Sequence, residues 1–541
     1  MNKKYLLISI LIIAALLRFW GLQNGDPRGD EVFYSFRAIG PLDFDNAPAQ
    51  PTPLELMNPN TPWWTSLSFH DHPPLVFWIQ YAFMGIFGEN VFAFRLPSAI
   101  LGVASVYFLY LIGSLLFSRR VGLLSAALLA VTVNNVFISR VGLQESYVIF
   151  FTLLAVYFFL KALREDKYLI WMGVALGLAF LTKYTTFILI PIFLTYLLFF
   201  KRDYFRNAKL WFGALAAILI FSPVIIYNIM LYKTLGHFDF QFSYVFGQDP
   251  EVWKSAPGKE EVGSLMDRAR NFIPALISSN SWLFLAIFGF SIPFFRRNKF
   301  LLISTAFLII WIILFIGPTV RFLTILAPFM ALSIAFLFEI LLNLPKKKII
   351  FLGICAIFAF EIFYSINSQI IYYPTGSAPW IFSEKARYEN YNWGYNELGK
   401  FLNEELKGKM PAVSFKMRHK FLSDIQEEFL TKARKQELQP YSAIIIYDQN
   451  TLNTPQLWFL DRLQIYHGWP VINTETYSAL PNKNAFENKY FITPTDKVPL
   501  KKETKLTMVG YLFEQKLLKE SIASQSILNK RGEEAFRIYR F

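Results

Sequence analysis

Asp30 and Glu31, in the run Gly29-Asp30-Glu31-Val32-Phe33-Tyr34, are the first residues of the chain whose types suggest chemistry. A carboxylate within hydrogen-bond reach of an attacking hydroxyl can take its proton as a general base. A solvated acidic loop, or Asp30 capping a helix over 31–39, would account for the same pair. His70-Asp71-His72-Pro73-Pro74 offers imidazole and carboxylate groups suited to Zn, Mn or Mg, which makes Asp71 and His72 candidate metal ligands and His70 a further site candidate. A helix start with Pro73-Pro74 in its first turn also explains that run. Arg140 and Glu145 flank the turn Val141-Gly142-Leu143-Gln144, either as a local ion pair or as site residues. Lys183 and Arg321 adjoin apolar runs. Each either snorkels its charge to a membrane surface or binds a phosphate, Arg through a bidentate fork and Lys as a point charge.

The elements that must position these residues are set by composition. The chain has 541 residues, of which 54% are hydrophobic, 18% aromatic and only 17% charged, and its mean hydropathy is +0.35. That apolar content exceeds what a soluble core needs, so a polytopic α-helical membrane protein is expected. The net charge of +14 falls in short clusters between apolar runs, a pattern of membrane topology rather than of nucleic-acid binding. Cys355 is the single cysteine, so no internal disulfide can form.

Eleven stretches are long enough to span a bilayer: residues 4–22, 96–117, 121–139, 145–163, 167–182, 184–200, 209–232, 278–296, 299–317, 321–343 and 348–369. The shorter apolar run 74–88 reads as an interfacial helix. No small-x-small cleavage site follows Leu17, so the first run reads as a retained anchor. Seventeen Lys and Arg residues gather in one set of connections, from Lys3-Lys4 to Lys346-Lys347-Lys348, and these are expected in the cytoplasm. The N-terminus is then cytoplasmic, and the loops 23–95 and 233–277 and the C-terminal segment are extracytoplasmic. The domains expected are a membrane module over 1–370 and an extracytoplasmic α/β domain over 371–541. In the latter, Ala443–Tyr447, Gln464–Tyr466 and Ala535–Tyr539 read as β-rich runs, and 396–408 and 421–436 as helical stretches. Glu339 and Glu361, inside the spans, receive no role beyond packing.

In order along the chain, several motifs resemble the GT-C membrane glycosyltransferases. They are Asp30-Glu31 with Tyr34, His72-Pro73-Pro74-Leu75 with Trp78, Arg95-Leu96-Pro97-Ser98, Arg140 followed by Glu145, Gly177 to Lys183, and Arg321 before Pro328. More narrowly, the set is similar to the family joining protein O-mannosyltransferases, aminoarabinose lipid A transferases and their bacterial relatives, over roughly residues 1–345. The resemblance implies Asp30 as catalytic base with Glu31 as its acidic neighbour. Asp71 and His72 match a pair that is acidic then lysine in the aminoarabinose transferases, so His72 is a departure; Glu145 stands where many relatives have Asp, and Arg321-Phe322 replaces a more usual Arg-Tyr.

The activity implied is inverting transfer of a sugar from a polyprenyl-phosphate donor to an acceptor hydroxyl on a protein, lipid A or envelope glycan, at the outer face of the cytoplasmic membrane. Lys183, Arg321, Arg140 and His72 would receive the phosphate's charge. Metal dependence stays open: Asp71 and His72 permit a divalent metal without requiring one. The other partners implied are membrane lipids. The alternative is a transporter or flippase of a lipid-linked saccharide, a class that places charges or broken helices near the bilayer midplane.

Overall fold

Helices occupy every one of the eleven apolar stretches in the computed structural model, which describes residues 3–27, 29–40, 62–69, 72–250, 263–371, 392–413, 420–451, 453–500 and 505–541. His70 and Asp71 lie outside the described residues. Among the described residues, six helices are long and apolar enough to cross a membrane: Val91–Leu116, Glu145–Ala162, Ala208–Leu235, Lys299–Ile316, Phe322–Leu342 and Lys347–Ile370. The run expected to lie at the interface forms the helix Leu75–Phe87.

The chain divides into two compact units, Met1–Leu22 with Trp63–Asn390, and Gln23–Pro62 with Tyr391–Phe541. The sequence alone suggested a single cut at 370, with the loop 23–95 in the membrane module. The first part of that loop instead bonds to the C-terminal residues: the Asp26 carboxylate accepts the N–H groups of Trp393 and Asn396.

In the helical unit, small residues allow close helix approach. A Cβ at Gly173 would fall 1.9 Å from the Gly213 carbonyl oxygen, so the helices Tyr168–Phe180 and Ala208–Leu235 touch backbone to backbone. The two in-span acids serve packing. Glu339 accepts the Ser118 hydroxyl at 2.5 Å and Glu361 accepts the Ser281 hydroxyl, and both serines cap the helix that follows them.

The second unit holds a five-stranded sheet in the order β4-β3-β5-β7-β6, with β3 Ala443–Tyr447, β4 Val471–Asn473, β5 Asn488–Pro494, β6 Ser524–Leu528 and β7 Glu534–Arg540. The apolar β3 is an interior strand and wholly buried, and it runs parallel to both neighbours, Ile445 facing Val471 and Tyr490. Strands β1 Lys409–Pro411 and β2 Gln439–Tyr441 pair separately. One expected strand is a helix: Gln464–Tyr466 lies in Arg462–His467, which ends at the left-handed Gly468. A three-residue apolar run does not outweigh a glycine stop signal placed just after it.

Candidate functional site

Glu145 opens the helix Glu145–Ala162 and is 4% exposed. The turn before it is fixed from outside by Gln80, whose amide donates to the Gly142 carbonyl at 2.9 Å. Two cations from distant segments meet this carboxylate. Lys183 Nζ lies 2.7 Å from Glu145 Oε1, and Arg321 Nε lies 3.6 Å from the same oxygen. Local structure explains how each arrives there. Lys183 stands in extended conformation where the helix Tyr168–Phe180 ends and the 3-10 turn Tyr184–Ile188 begins, at the break expected between two spans. Arg321 follows Gly317, whose φ of 84° suits glycine, and precedes the 3-10 turn Phe322–Leu326.

Phe322 adjoins both cations. Lys183 Nζ is 4.6 Å and Arg321 Cζ 4.7 Å from its ring centroid, so the ring offers a π contact to both charges. Glu145 and Lys183 supply the charged groups of an open pocket that Phe322 also lines. Its remaining wall is mostly apolar, with Val148, Leu308, Ile312 and Ile316 among the lining residues. The arrangement combines two cations, one carboxylate and a greasy slot. It suits an amphiphilic anion, with the charge at the rim and the hydrocarbon along the wall.

The other expected residues are placed as follows. Arg140 donates to the carbonyl oxygens of Leu17, Arg18, Trp20 and Gly21 at 2.8–3.2 Å, capping the end of the helix Lys3–Phe19. His72 exchanges backbone bonds with Phe69 at 2.9 Å, and its ring stacks near Phe77. Among the described residues no group of three His, Cys, Asp or Glu side chains could hold a metal ion, and Asp71 lies outside them. Asp30 and Glu31 form the first turn of the helix Asp30–Ile39 in the second unit, where Glu31 is buried. Gly29, not Asp30, is the N-cap, so the capping explanation for Asp30 does not apply.

Sequence reasoning missed the fully buried Asp239. One of its oxygens accepts the Tyr184 hydroxyl at 2.5 Å and the Asn228 amide at 3.0 Å, and the other caps the helix Phe240–Val245. Tyr184 adjoins Lys183, so this network anchors the turn that carries the cation. The signal available was an Asp directly before an aromatic helical run inside the loop 233–277. Arg18, deep inside the first apolar run, was missed as well. It is fully buried and reaches the carbonyls of Leu129 and Ala130 and the Asn135 side chain.

Fold and site together define a multi-pass helical membrane protein with an ion-paired carboxylate at the head of an apolar pocket. Residues 71–227 match the family of Dolichyl-phosphate-mannose-protein mannosyltransferase, a stretch that includes Glu145 and Lys183 but neither Asp30 nor Arg321. The putative mannosyltransferase YycA of Bacillus subtilis is 34% identical over 136 residues, which is 24% of this chain and 20% of that one. An undecaprenyl phosphate-alpha-4-amino-4-deoxy-L-arabinose arabinosyl transferase of Pseudomonas savastanoi is 24% identical over 269 residues, 47% of each chain. This chain thus spans less than half the length of these curated relatives. The crystal structure of ArnT from Cupriavidus metallidurans bound to undecaprenyl phosphate has a similar fold, with a TM-score of 0.55 at 12% identity over 100% of this chain and 98% of that one. The resemblance to GT-C membrane glycosyltransferases is carried by family match, relatives and fold alike.

Proposed function

We propose that the protein transfers a sugar from a polyprenyl-phosphate donor to an acceptor hydroxyl at the outer face of the cytoplasmic membrane. The observation that carries this reading is the Glu145–Lys183–Arg321 ion cluster, of which Glu145 and Lys183 line the apolar pocket. The polyprenyl chain would follow the apolar wall, and the phosphate would meet Lys183 and Arg321. Arg321 is the more accessible of the two, with a side chain 27% exposed against 12% for Lys183, and its contact to Glu145 is the looser one.

The chemistry needs a base and a sink for charge. Asp30 takes the proton of the acceptor hydroxyl as its oxygen bonds to the anomeric carbon. The bond from that carbon to the phosphate oxygen breaks on the opposite face, its electrons leave with the polyprenyl phosphate, and the sugar inverts. Lys183 and Arg321 stabilise the departing anion, so no general acid is required. The base role of Asp30 rests on the sequence resemblance.

The test is to give purified protein a panel of polyprenyl-phosphate sugars with native membranes, and to identify by mass spectrometry which molecule gains a sugar. Wild-type protein should yield one such product. Asp30→Asn, which keeps the side chain's shape, should yield none while still inserting in the membrane. Near-normal turnover by Asp30→Asn would sink the base assignment, and flux of intact donor without covalent transfer would replace the enzyme reading with a flippase.

A further inference from the structure

The helix Asp30–Ile39 is ten residues long and starts at Gly29 without a side-chain cap, so little in its own sequence fixes it. Helices this short are marginal without tertiary support. The support comes from the far end of the chain. At its start, Thr454 Oγ1 accepts the Gly29 N–H at 3.3 Å. At its end, the Tyr466 hydroxyl is shared between the carbonyl oxygens of Phe36 at 3.1 Å and Gly40 at 3.4 Å.

Packing tightens the second of these contacts. The Tyr466 ring lies 5.0 Å from the fully buried ring of Phe36, centroid to centroid. Gly40 approaches so closely that an added Cβ would fall 2.5 Å from the Tyr466 ring. The segment just before the helix is tied down as well, since the Asn396 amide donates to the Gln23 carbonyl at 3.1 Å.

We propose that Thr454 and Tyr466 are positioning residues for the carboxylates of Asp30 and Glu31, so that the C-terminal segment is part of the transferase machinery. This rests on the reading of Asp30 as the base. A general base must lie within hydrogen-bond reach of its proton, and a displacement of about 1 Å can cost on the order of 100-fold in rate. Residues 425 and 430 positions downstream hold the two ends of the helix that carries it. Neither touches substrate in this reading; both act through the helix backbone.

The experiment uses the full chain in lipid nanodiscs, comparing wild type with Thr454→Val, Tyr466→Phe, the double variant and Asp30→Asn. Two readouts are taken: kcat with donor KM, and amide hydrogen exchange over residues 30–40 and 443–447. The double variant should lower kcat roughly tenfold with donor KM changed less than about twofold, because the base is displaced while donor binding is untouched. Exchange over residues 30–40 should quicken while exchange over 443–447 stays slow. Wild-type kcat and wild-type exchange in the double variant would overturn the proposal. Faster exchange that extends to 443–447 would also count against it, since the effect would then belong to the whole unit. An active Asp30→Asn would defeat the base reading, and the exchange data would still decide whether Thr454 and Tyr466 hold the helix.

Discussion

The helical unit and the second unit each bury an acid, and they compensate it by different means. Glu145 faces two cations, at 2.7 and 3.6 Å. Asp26 is just as buried but is held by the backbone N–H groups of Trp393 and Asn396, at 2.5 and 2.9 Å. Opposite charge compensates a buried carboxylate more fully than neutral donors do. Burial pushes the Asp26 carboxyl up to about 7, even though the bonds from Trp393 and Asn396 pull it down. One unit therefore presents fixed charge beside an apolar pocket, and the other contains an acid that titrates near neutrality. Arg18 and Arg140 show a third means, in which buried guanidinium groups donate to carbonyls at helix ends.

The comparison breaks most visibly at Glu145. Glu145→Leu leaves Lys183 and Arg321 without their carboxylate, and removing one partner of a buried pair costs roughly 3–5 kcal/mol. Thermal unfolding should fall by several degrees, and turnover by at least about 100-fold as the cations shift. A variant with wild-type melting and turnover would show that charge pairing is not what distinguishes this unit.

A smaller effect is expected at Arg321, the more exposed cation. Arg321→Ala should raise the donor KM about tenfold, the scale of one charge-assisted contact, and leave the acceptor KM near wild type. Equal changes in both constants would separate Arg321 from the phosphate. Arg321→Lys should recover only part of the loss, because a point charge cannot replace the planar fork.

Long apolar runs made the helical unit legible in the sequence, because a bilayer-length stretch has few other uses. Lys183 and Arg321 were legible as charges stranded between such runs. Their convergence on Glu145 was not, since it depends on contacts across 38 and 176 positions that no local pattern encodes. The task of Arg140 was hidden for a similar reason: its charge suggested an anion, yet it donates to carbonyls at the end of the first helix. In the second unit the uniformly apolar β3 announced a buried strand, whereas Gln464–Tyr466 carried too few residues to reveal its period. The membership of residues 23–40 in that unit rests on side-chain bonds such as Tyr466 to Phe36, and these leave no mark on hydropathy.

The effect on activity is smallest at Asp26, where the prediction concerns stability and pH. The folded carboxyl titrates near 7 against an ordinary value of 3.8, so the folded state binds the proton more tightly than the unfolded chain does. Its contribution is therefore fully present below about pH 4 and is lost as pH rises through about 7, by an amount on the order of a few kcal/mol. Unfolding of the second unit, followed by hydrogen exchange at Ala443–Tyr447, should quicken between pH 5 and 8, beyond the intrinsic acceleration of exchange with pH. Asp26→Asn keeps the shape without the titration, so its corrected exchange should be flat across that range. At a fixed pH of about 6 its turnover should stay within about twofold of wild type, because the residue carries no charge that the transfer uses. A wild-type profile as flat as that of the variant would mean that the backbone N–H groups compensate Asp26 as fully as the cations compensate Glu145, and the distinction between the two units would fail.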